Sequence, residues 1–565
     1  MTSSDKIIVR EYLSSLKEDK ELDYLFPILL NLMGFRIIQT AKDSKGQPQY
    51  GKDIIAVGND ENGIKYKWYF ELKGYSDRNI TSSNYKKDDG IRDSIIASID
   101  TQFTDNSIPN FDKLPVKVVI VHNGIIDSNT RRTLDGFVER YFDNKKYFFE
   151  RWDIYYLTDL FSQYLFSEYL LTDDESSRLF KRTLALLDSP DYDLSDFKQL
   201  INIQFDKIER IKGRAFSKLF STLNLISSII YTYCKENNNL LPAKKGSSFL
   251  VLKTWSWVLK NKIETKNPIK KAFNKLLEIQ YSIYKEYIEK TLPVAILENG
   301  LFAENGASFE EIGYPLRSFE YISDLIYYYK QKLYYSEKEQ YERIKNEQKD
   351  IIIELIENNS GFQRPVIDSH SIEILQIFLF FADKSILRQK DIEFIAGYIF
   401  NVITGIFKIE LTRSRLPELY SNINLLVEYS STKERPEEYV DNSSVLMAVL
   451  VELLVVLDSK ESYINFRERI KDTNLIIVYP HFDKFEIEKL MFEKHMHNEY
   501  YNEVITPLPD DFDKFKEVIK AKINIQPNFR TDNTEFSFLK TLAHSYYRNE
   551  IFPCEWRILI DDDNE

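Results

Sequence analysis

The sequence predicts an α/β sandwich built on a mixed sheet, followed by a large, mostly α-helical region. Two patterns carry that reading. Up to about residue 165, helical and strand periodicities alternate; beyond about residue 170, one long amphipathic segment follows another. Length agrees, since 565 residues exceed what one hydrophobic core organises. The expected domains are 1–170 (α/β), 171–435 (helical, with a basic segment at 244–275) and 436–565 (mostly helical).

Each element follows from local pattern. Leu22, Leu25, Phe26, Leu29, Leu30 and Met33 recur at threes and fours, one apolar helical face stopped by Gly34. Phe35 to Gln39 reads as a short strand, followed by a polar loop with Gly46, Pro48 and Gly51. Asp53-Ile-Ile-Ala-Val57, a turn at Asn59 to Gly63 and a strand from Lys65 to Lys73 closed by Gly74 make a hairpin. Ile91, Ile95, Ile99 and Phe103, spaced by fours, predict a second helix. Val116 to Val121 is a buried strand, and Leu134, Phe137, Val138 and Tyr141 mark a third helix. Trp152 to Tyr156 reads as a last strand, with Thr158 as N-cap of the next helix. Further on, helical segments surround 203–234, 248–292, 317–356, 370–407 and 443–457, and no period of 20 to 50 residues indicates a repeat array. A short strand is expected at Asn474 to Val478.

Composition excludes several classes. Apolar residues make up 43% and charged residues 29%, a globular mix. Two cysteines, Cys234 and Cys554, support neither a disulfide framework nor a thiolate zinc site. His495 and His497, two apart on a helix, face different directions and do not suggest zinc. The charged N-terminal stretch lacks the apolar core of a secretory leader. Val445 to Leu457 is the longest apolar run, interrupted by Glu452 and shorter than a bilayer span, so it reads as a core helix. The expectation is a cytoplasmic chain with no membrane partner.

The net charge is −13, but it is unevenly placed: residues 1–150 carry 22 basic and 23 acidic groups, and the rest carry nearly all the negative excess. Within that acidic remainder, Lys244 to Lys275 holds nine lysines against Glu264 alone. Such a patch attracts a polyanion, and Lys260, Lys262, Lys270 and Lys271 are the candidate nucleic-acid contacts. Trp255 and Trp257 are available there for base stacking or for the core.

The chemistry-bearing cluster is Asp53 with Glu71-Leu72-Lys73. Residues two apart on a strand share a face, so Glu71 and Lys73 emerge together while Leu72 turns to the core. A hairpin partner strand brings Asp53 beside them. Two carboxylates near one ammonium suit metal-dependent phosphodiester hydrolysis: Asp53 and Glu71 offer oxygen ligands for Mg²⁺ or Mn²⁺, and Lys73 steadies the attacking water or the charge growing on phosphorus. The competing structural reading is a pair of surface charges on a strand.

Residues 20–165 resemble the restriction-endonuclease-like nuclease superfamily, in the branch related to the type IV restriction protein Mrr. The matching features run in family order: a helix ending Leu-Met-Gly-Phe, a Gly-Lys-Asp-Ile-Ile strand, a partner with Phe-Glu-Leu-Lys-Gly, a helix, a strand ending His122-Asn123-Gly124, another helix and a closing strand. The resemblance implies that Asp53 and Glu71 are metal ligands and Lys73 the catalytic lysine. It adds an acidic residue from the first helix, best matched by Asp23, with Glu21 as substitute. Two departures stand out: Glu71 where the branch commonly has glutamine, and Lys52 where many relatives have glycine.

The expected function is a Mg²⁺-dependent endonuclease cutting DNA, a regulated effector of prokaryotic antiviral defence. The alternatives are a ribonuclease of the same fold and an inactive nucleic-acid-binding or assembly subunit. No Walker A sequence occurs, so nucleotide-driven licensing requires an ATPase or sensor on another chain. Further copies of the chain in a homo-oligomer are the other expected partner.

Overall fold

The computed structural model describes the chain apart from residues 1–2, 41–42, 44–49, 106, 167–170, 191, 209–212, 304–307, 384–385, 472, 474, 482–486, 497–500, 523–528 and 561–565. Gly46, Pro48, Asn474 and His497 therefore lie outside the described residues. Two compact units emerge, Met1–Gly246 and Ser247–Glu565. This division differs from the boundaries expected at 170 and 435. The reason for the first is that helices beyond 170 pack back onto the N-terminal helix rather than forming a body of their own.

In the first unit, α1 (Ser3–Ser15) is followed by a kinked turn, Glu18–Leu22, and α2 (Asp23–Leu32). Strands β1 (Arg36–Gln39), β2 (Ile54–Asn59) and β3 (Lys65–Lys73) come next. Then follow α3 (Ser82–Lys86), α4 (Ile91–Asp100), β4 (Val116–His122), α5 (Ser128–Tyr141), β5 (Tyr147–Trp152) and α6 (Ile154–Tyr164). The strand order is β1-β2-β3-β4-β5, antiparallel from β1 to β3 and parallel from β3 to β5. The mixed sheet is thus present in the expected strand sequence.

Two details correct the sequence reading. The last strand ends at Trp152 and the helix begins at Ile154, because the Asp153 carboxylate accepts the amides of Tyr155 and Tyr156 and caps the helix there. Thr158 instead bonds back to the Ile154 carbonyl inside the first turns. The helix starting at Ile91 ends at Asp100, and Phe103 packs on the same core from the loop.

Central strand β3 is buried on both faces, and its alternation sorts the layers. Tyr69 packs with Ile55, Val118 and Ile120 of the sheet under Ile91 and Ile95 of α4 and Leu134 and Phe137 of α5. Trp68 and Phe70 face the other way: Phe70 lies 5.2 Å from Phe26 of α2 and 5.4 Å from Trp152. Edge-on and stacked rings of this kind add to the area they bury. Glu71 and Lys73, in phase with Tyr69, point to the α4 side.

Helices α7 (Asp174–Leu186), α8 (Ser195–Asp206) and α9 (Gly213–Glu236) complete the first unit, α9 against α1 and α8 against α7.

The second unit is helical around a small three-stranded sheet of Ser443–Ser444, Ile476–His481 and Tyr501–Val504. Its apolar helix Val445–Val456 is buried from Val445 to Val455, and Glu452 is neutralised inside by Arg557, with the Trp556 indole donating at 2.8 Å. Among the described residues one helix, Gln389–Arg413, is long and apolar enough to cross a membrane. It buries Ile395, Ile399, Val402 and Ile406 within the protein.

Candidate active site

Asp53 sits one residue before β2. Continuing the register Ile54↔Phe70 places it opposite Glu71. Its carboxylate accepts the Leu72 amide at 2.7 Å, a bond between the two residues of interest on β3. Lys73 Nζ lies 3.1 Å from Glu71 Oε1. The structure therefore brings Asp53, Glu71 and Lys73 together at the C-terminal end of β3, where Lys73 aligns with His122 of β4.

The approach of other segments depends on two glycines. Gly51 has φ +67°, and a Cβ there would stand 2.1 Å from the Ser94 carbonyl of α4. Gly74 lies against the kinked turn: a Cβ would meet the Glu18 amide nitrogen at 2.2 Å. The turn is anchored by the Tyr75 amide on the Leu16 carbonyl and by the Asn123 side-chain amide on Leu13 and Leu16. The outcome is that Glu18 reaches the site, its carboxylate 3.8 Å from Lys73 Nζ.

Glu18 is the site residue that sequence reasoning missed. It lies between two helical faces, in the charged run Lys17-Glu-Asp-Lys-Glu21, where no periodicity singles out one acid. The only available signal was that break itself. Of the two acids expected there, Glu21 goes elsewhere, while Asp23 stays within reach of the Asp53 charge. Glu21 is drawn away by Arg214 and Lys218. No hydrogen bond or ion pair joins Asp23 to Asp53, Glu71 or Lys73 among the described residues, although the Asp53 charge is felt at Asp23 and helps raise its pKa, after burial.

Burial governs the electrostatics. It raises the Glu71 carboxyl, against the pull of Lys73 and the Ser94 hydroxyl. Asp53 is raised by burial too, with the Leu72 amide and Lys73 opposing. Glu18 is pushed up to about 7, first by burial and then by Asp53 and Glu71, with Lys73 working the other way. Burial disfavours the Lys73 ammonium, but Glu71, Glu18 and Asp53 override it and hold its pKa above the ordinary value. Lys73 is therefore a cation, unsuited to accept a proton. Lys52 lies 5.1 Å over the Tyr69 ring, and burial pushes its amine down to about 8. The tight approach that a glycine at 52 would allow is made here by Gly51.

No group of three or more acidic, histidine or cysteine side chains able to hold a metal occurs among the described residues. Asp53 and Glu71 nevertheless fit a Mg²⁺ ion, which takes one or two carboxylates and keeps several waters. Glu71 Oε2 is buried and has no hydrogen-bond partner among the described residues, which leaves it open as a ligand.

Neighbouring residues have structural duties. His122 is fully buried, with Nδ1 2.9 Å from the Arg78 carbonyl, and burial pushes its pKa down to about 4. Arg78 also holds the Ser14 carbonyl. Gln102 bonds to the Tyr147 hydroxyl, at the opposite end of β5.

The basic segment, which begins at the end of the first unit and runs on in the second, is partly neutralised. Lys270 pairs with Glu535 at 2.6 Å and Lys253 with Glu493 at 3.0 Å, and Lys244 is buried. Lys260, Lys262 and Lys271 are exposed and form no ion pair among the described residues. Trp255 is buried, its indole bonded to Thr531, so it serves the core and is closed to base stacking.

No family model matches the sequence, and no curated protein or solved structure matches it.

Proposed function

We propose that the first unit is a metal-dependent nuclease of the restriction-endonuclease-like type, hydrolysing DNA phosphodiesters. The observation that carries the reading is the Asp53 carboxylate bonded to the amide between Glu71 and Lys73 at the end of a central strand of a mixed sheet. Mg²⁺ held by Asp53 and Glu71 would supply Lewis acidity at the phosphoryl oxygen and acidify a bound water.

The chain's own groups divide the remaining work. Lys73, kept charged by its three carboxylate neighbours, sets its ammonium against the charge that develops on phosphorus. Glu18, with its carboxyl near neutrality, is suited to accept the proton that water loses as its oxygen bonds to phosphorus. The phosphorus–oxygen bond to the leaving sugar breaks, and that oxygen takes a proton from solvent. Exposed Lys260, Lys262 and Lys271 are the groups proposed to hold the nucleic-acid backbone. A cytoplasmic defence role, regulated by a partner chain, extends the same reading.

The test is nicking of supercoiled DNA with Mg²⁺ or Mn²⁺ by wild type, Lys73→Ala and Glu71→Ala. Metal-dependent cleavage lost in both variants supports the assignment; equal cleavage in all three refutes it. One observation favours a second reading, an inactive binding subunit: Lys73 is already paired with Glu71. Metal-dependent protection of the site without cleavage, of DNA or RNA, would select it.

A further inference from the structure

A cavity of about 330 Å³ lies within the first unit, against Lys20 and Glu21 of the kinked turn that carries Glu18. Its wall brings together four cations, Lys20, Lys207, Arg214 and Lys218, and two carboxylates, Glu21 and Asp173. In a chain of net charge −13 this is a local cationic excess. We propose that this cavity binds a small phosphorylated ligand of nucleoside monophosphate size, and that the ligand acts on the turn that carries Glu18.

The carboxylates do not exhaust the cations. Glu21 alone serves two, Arg214 and Lys218, the latter at 2.6 Å. Asp173 takes Lys207 at 2.6 Å and also spends an oxygen on the Ser176 amide as cap of α7. Lys20 is exposed and has no ion partner among the described residues. Burial lowers the Lys218 pKa, Glu21 opposes it, and the neighbouring Arg214 and Lys207 lower it further. A guanidinium fork beside flexible ammonium groups is the donor set that phosphate oxygens favour. Leu171, Leu219 and the buried Tyr12 supply an apolar wall for a base or sugar. The volume falls at the small end of ligand sites.

Coupling to the turn is covalent and close. Glu21 Oε2 accepts the Lys17 amide at 2.7 Å, closing the segment from 17 to 21. Lys20 within it takes a left-handed φ of +64°, an unfavourable conformation for a side-chain-bearing residue that its surroundings must impose. Arg214, besides binding Glu21, donates to the Ser15 carbonyl at 2.9 Å and lies 5.3 Å over the Tyr75 ring, next to Gly74. A phosphate drawing Arg214 and Lys218 competes with Glu21 for them. The turn then relaxes, and Glu18 moves with it. The binding stands apart from the nuclease reading; only its consequence for Glu18 rests on it.

The experiment is calorimetric titration of the full chain with the four nucleoside 5′-monophosphates, with inorganic phosphate and with the unphosphorylated nucleosides, followed by hydrogen exchange of residues 16–23. At least one monophosphate should bind, phosphate more weakly and nucleosides not at all. Lys218→Gln should weaken binding at least tenfold. Lys20→Glu, an exposed change that breaks no ion pair and keeps the fold, should weaken it severalfold, while Lys271→Gln should leave it unchanged. Exchange of 16–23 should rise with ligand. No binding by any monophosphate or phosphate, equal binding in Lys20→Glu and Lys218→Gln, or a loss in Lys271→Gln of the same size would overturn the site. Unchanged exchange at 16–23 with ligand bound would overturn the coupling. Each result is read without nuclease activity, so it fails or stands independently of DNA cleavage.

Discussion

Glu18→Gln should make the protein more stable at pH 8 and leave it unchanged at pH 4. The Glu18 carboxyl is raised from 4.5 to about 7. Below 4.5 it is protonated in both folded and unfolded chains, so the group contributes no pH dependence there. Between 4.5 and 7 the unfolded chain ionises while the folded chain keeps its proton, and stability falls as pH rises; above 7 the full penalty is in place. Taken at face value, a shift of that size corresponds to roughly 3 kcal/mol at ~1.4 kcal/mol per unit. The side chain is 42% exposed, however, and solvent screening reduces the expectation to about 1 kcal/mol. Glutamine removes the charge and keeps the shape. In metal-free buffer the variant should therefore gain about 1 kcal/mol at pH 8, equivalent to a melting shift of about 2–4 °C for a unit of this size. The assay is thermal and urea unfolding of both proteins at pH 4, 6 and 8. A variant less stable at pH 8, or a difference of the same size at pH 4 and pH 8, would refute the account of a half-buried carboxylate held among like charges.

The other expectations follow from the same geometry. Lys73→Ala should lower Mg²⁺-dependent cleavage by about 10²–10³-fold, the scale of one lost oxyanion-stabilising donor, and an unaltered rate in nicking assays would remove Lys73 from the chemistry. Mg²⁺ affinity should rise from pH 5 to pH 8, with proton release measured by calorimetry in buffers of different ionisation enthalpy, because Asp53, Glu71 and Glu18 are all raised and must ionise as the ion binds. Gly74→Ala should cost about 1–3 kcal/mol in urea unfolding, since its Cβ would stand 2.2 Å from the Glu18 amide nitrogen; a neutral result would mean that the turn is not held there. If the basic segment holds DNA, replacing Lys260, Lys262 and Lys271 by glutamine should flatten the slope of log affinity against log salt by about 2–3, and Lys270→Gln, already paired with Glu535, should change it less.

The sheet was legible because its determinants are local. Alternation along Lys65 to Lys73 and the turn before it specify a hairpin without any long-range information, and that hairpin alone brings Asp53 to Glu71 and Lys73. Thr158 shows the limit of local pattern. Asp153, five residues earlier, captures two amides with a carboxylate and starts the helix first. Glu18 was illegible for a different reason: its position is set by Gly74, Asn123 and Tyr75, residues far away in sequence whose contacts with the turn leave no periodic trace. The same applies to the basic segment, where a count of lysines reveals nothing about Glu535 and Glu493, which neutralise two of them from more than two hundred residues away.

A comparison inside the protein sets this cluster beside a buried ion network whose charges are paired. In the second unit Lys349 and Asp391 are both fully buried, 3.0 Å apart, and Arg388 adds a second cation to the same carboxylate at 2.6 Å. Asp391 also accepts the Arg388 amide, and its pKa is lowered despite burial. Every charge there is answered, as a network kept for structure requires. At the end of β3 the balance runs the other way. Asp53, Glu71 and Glu18 share the single ammonium of Lys73, all three carboxyls are raised, and Glu71 Oε2 is left without a hydrogen bond. Three acids around one lysine leave the cluster short of positive charge, and under the proposed nuclease reading a divalent cation would supply it.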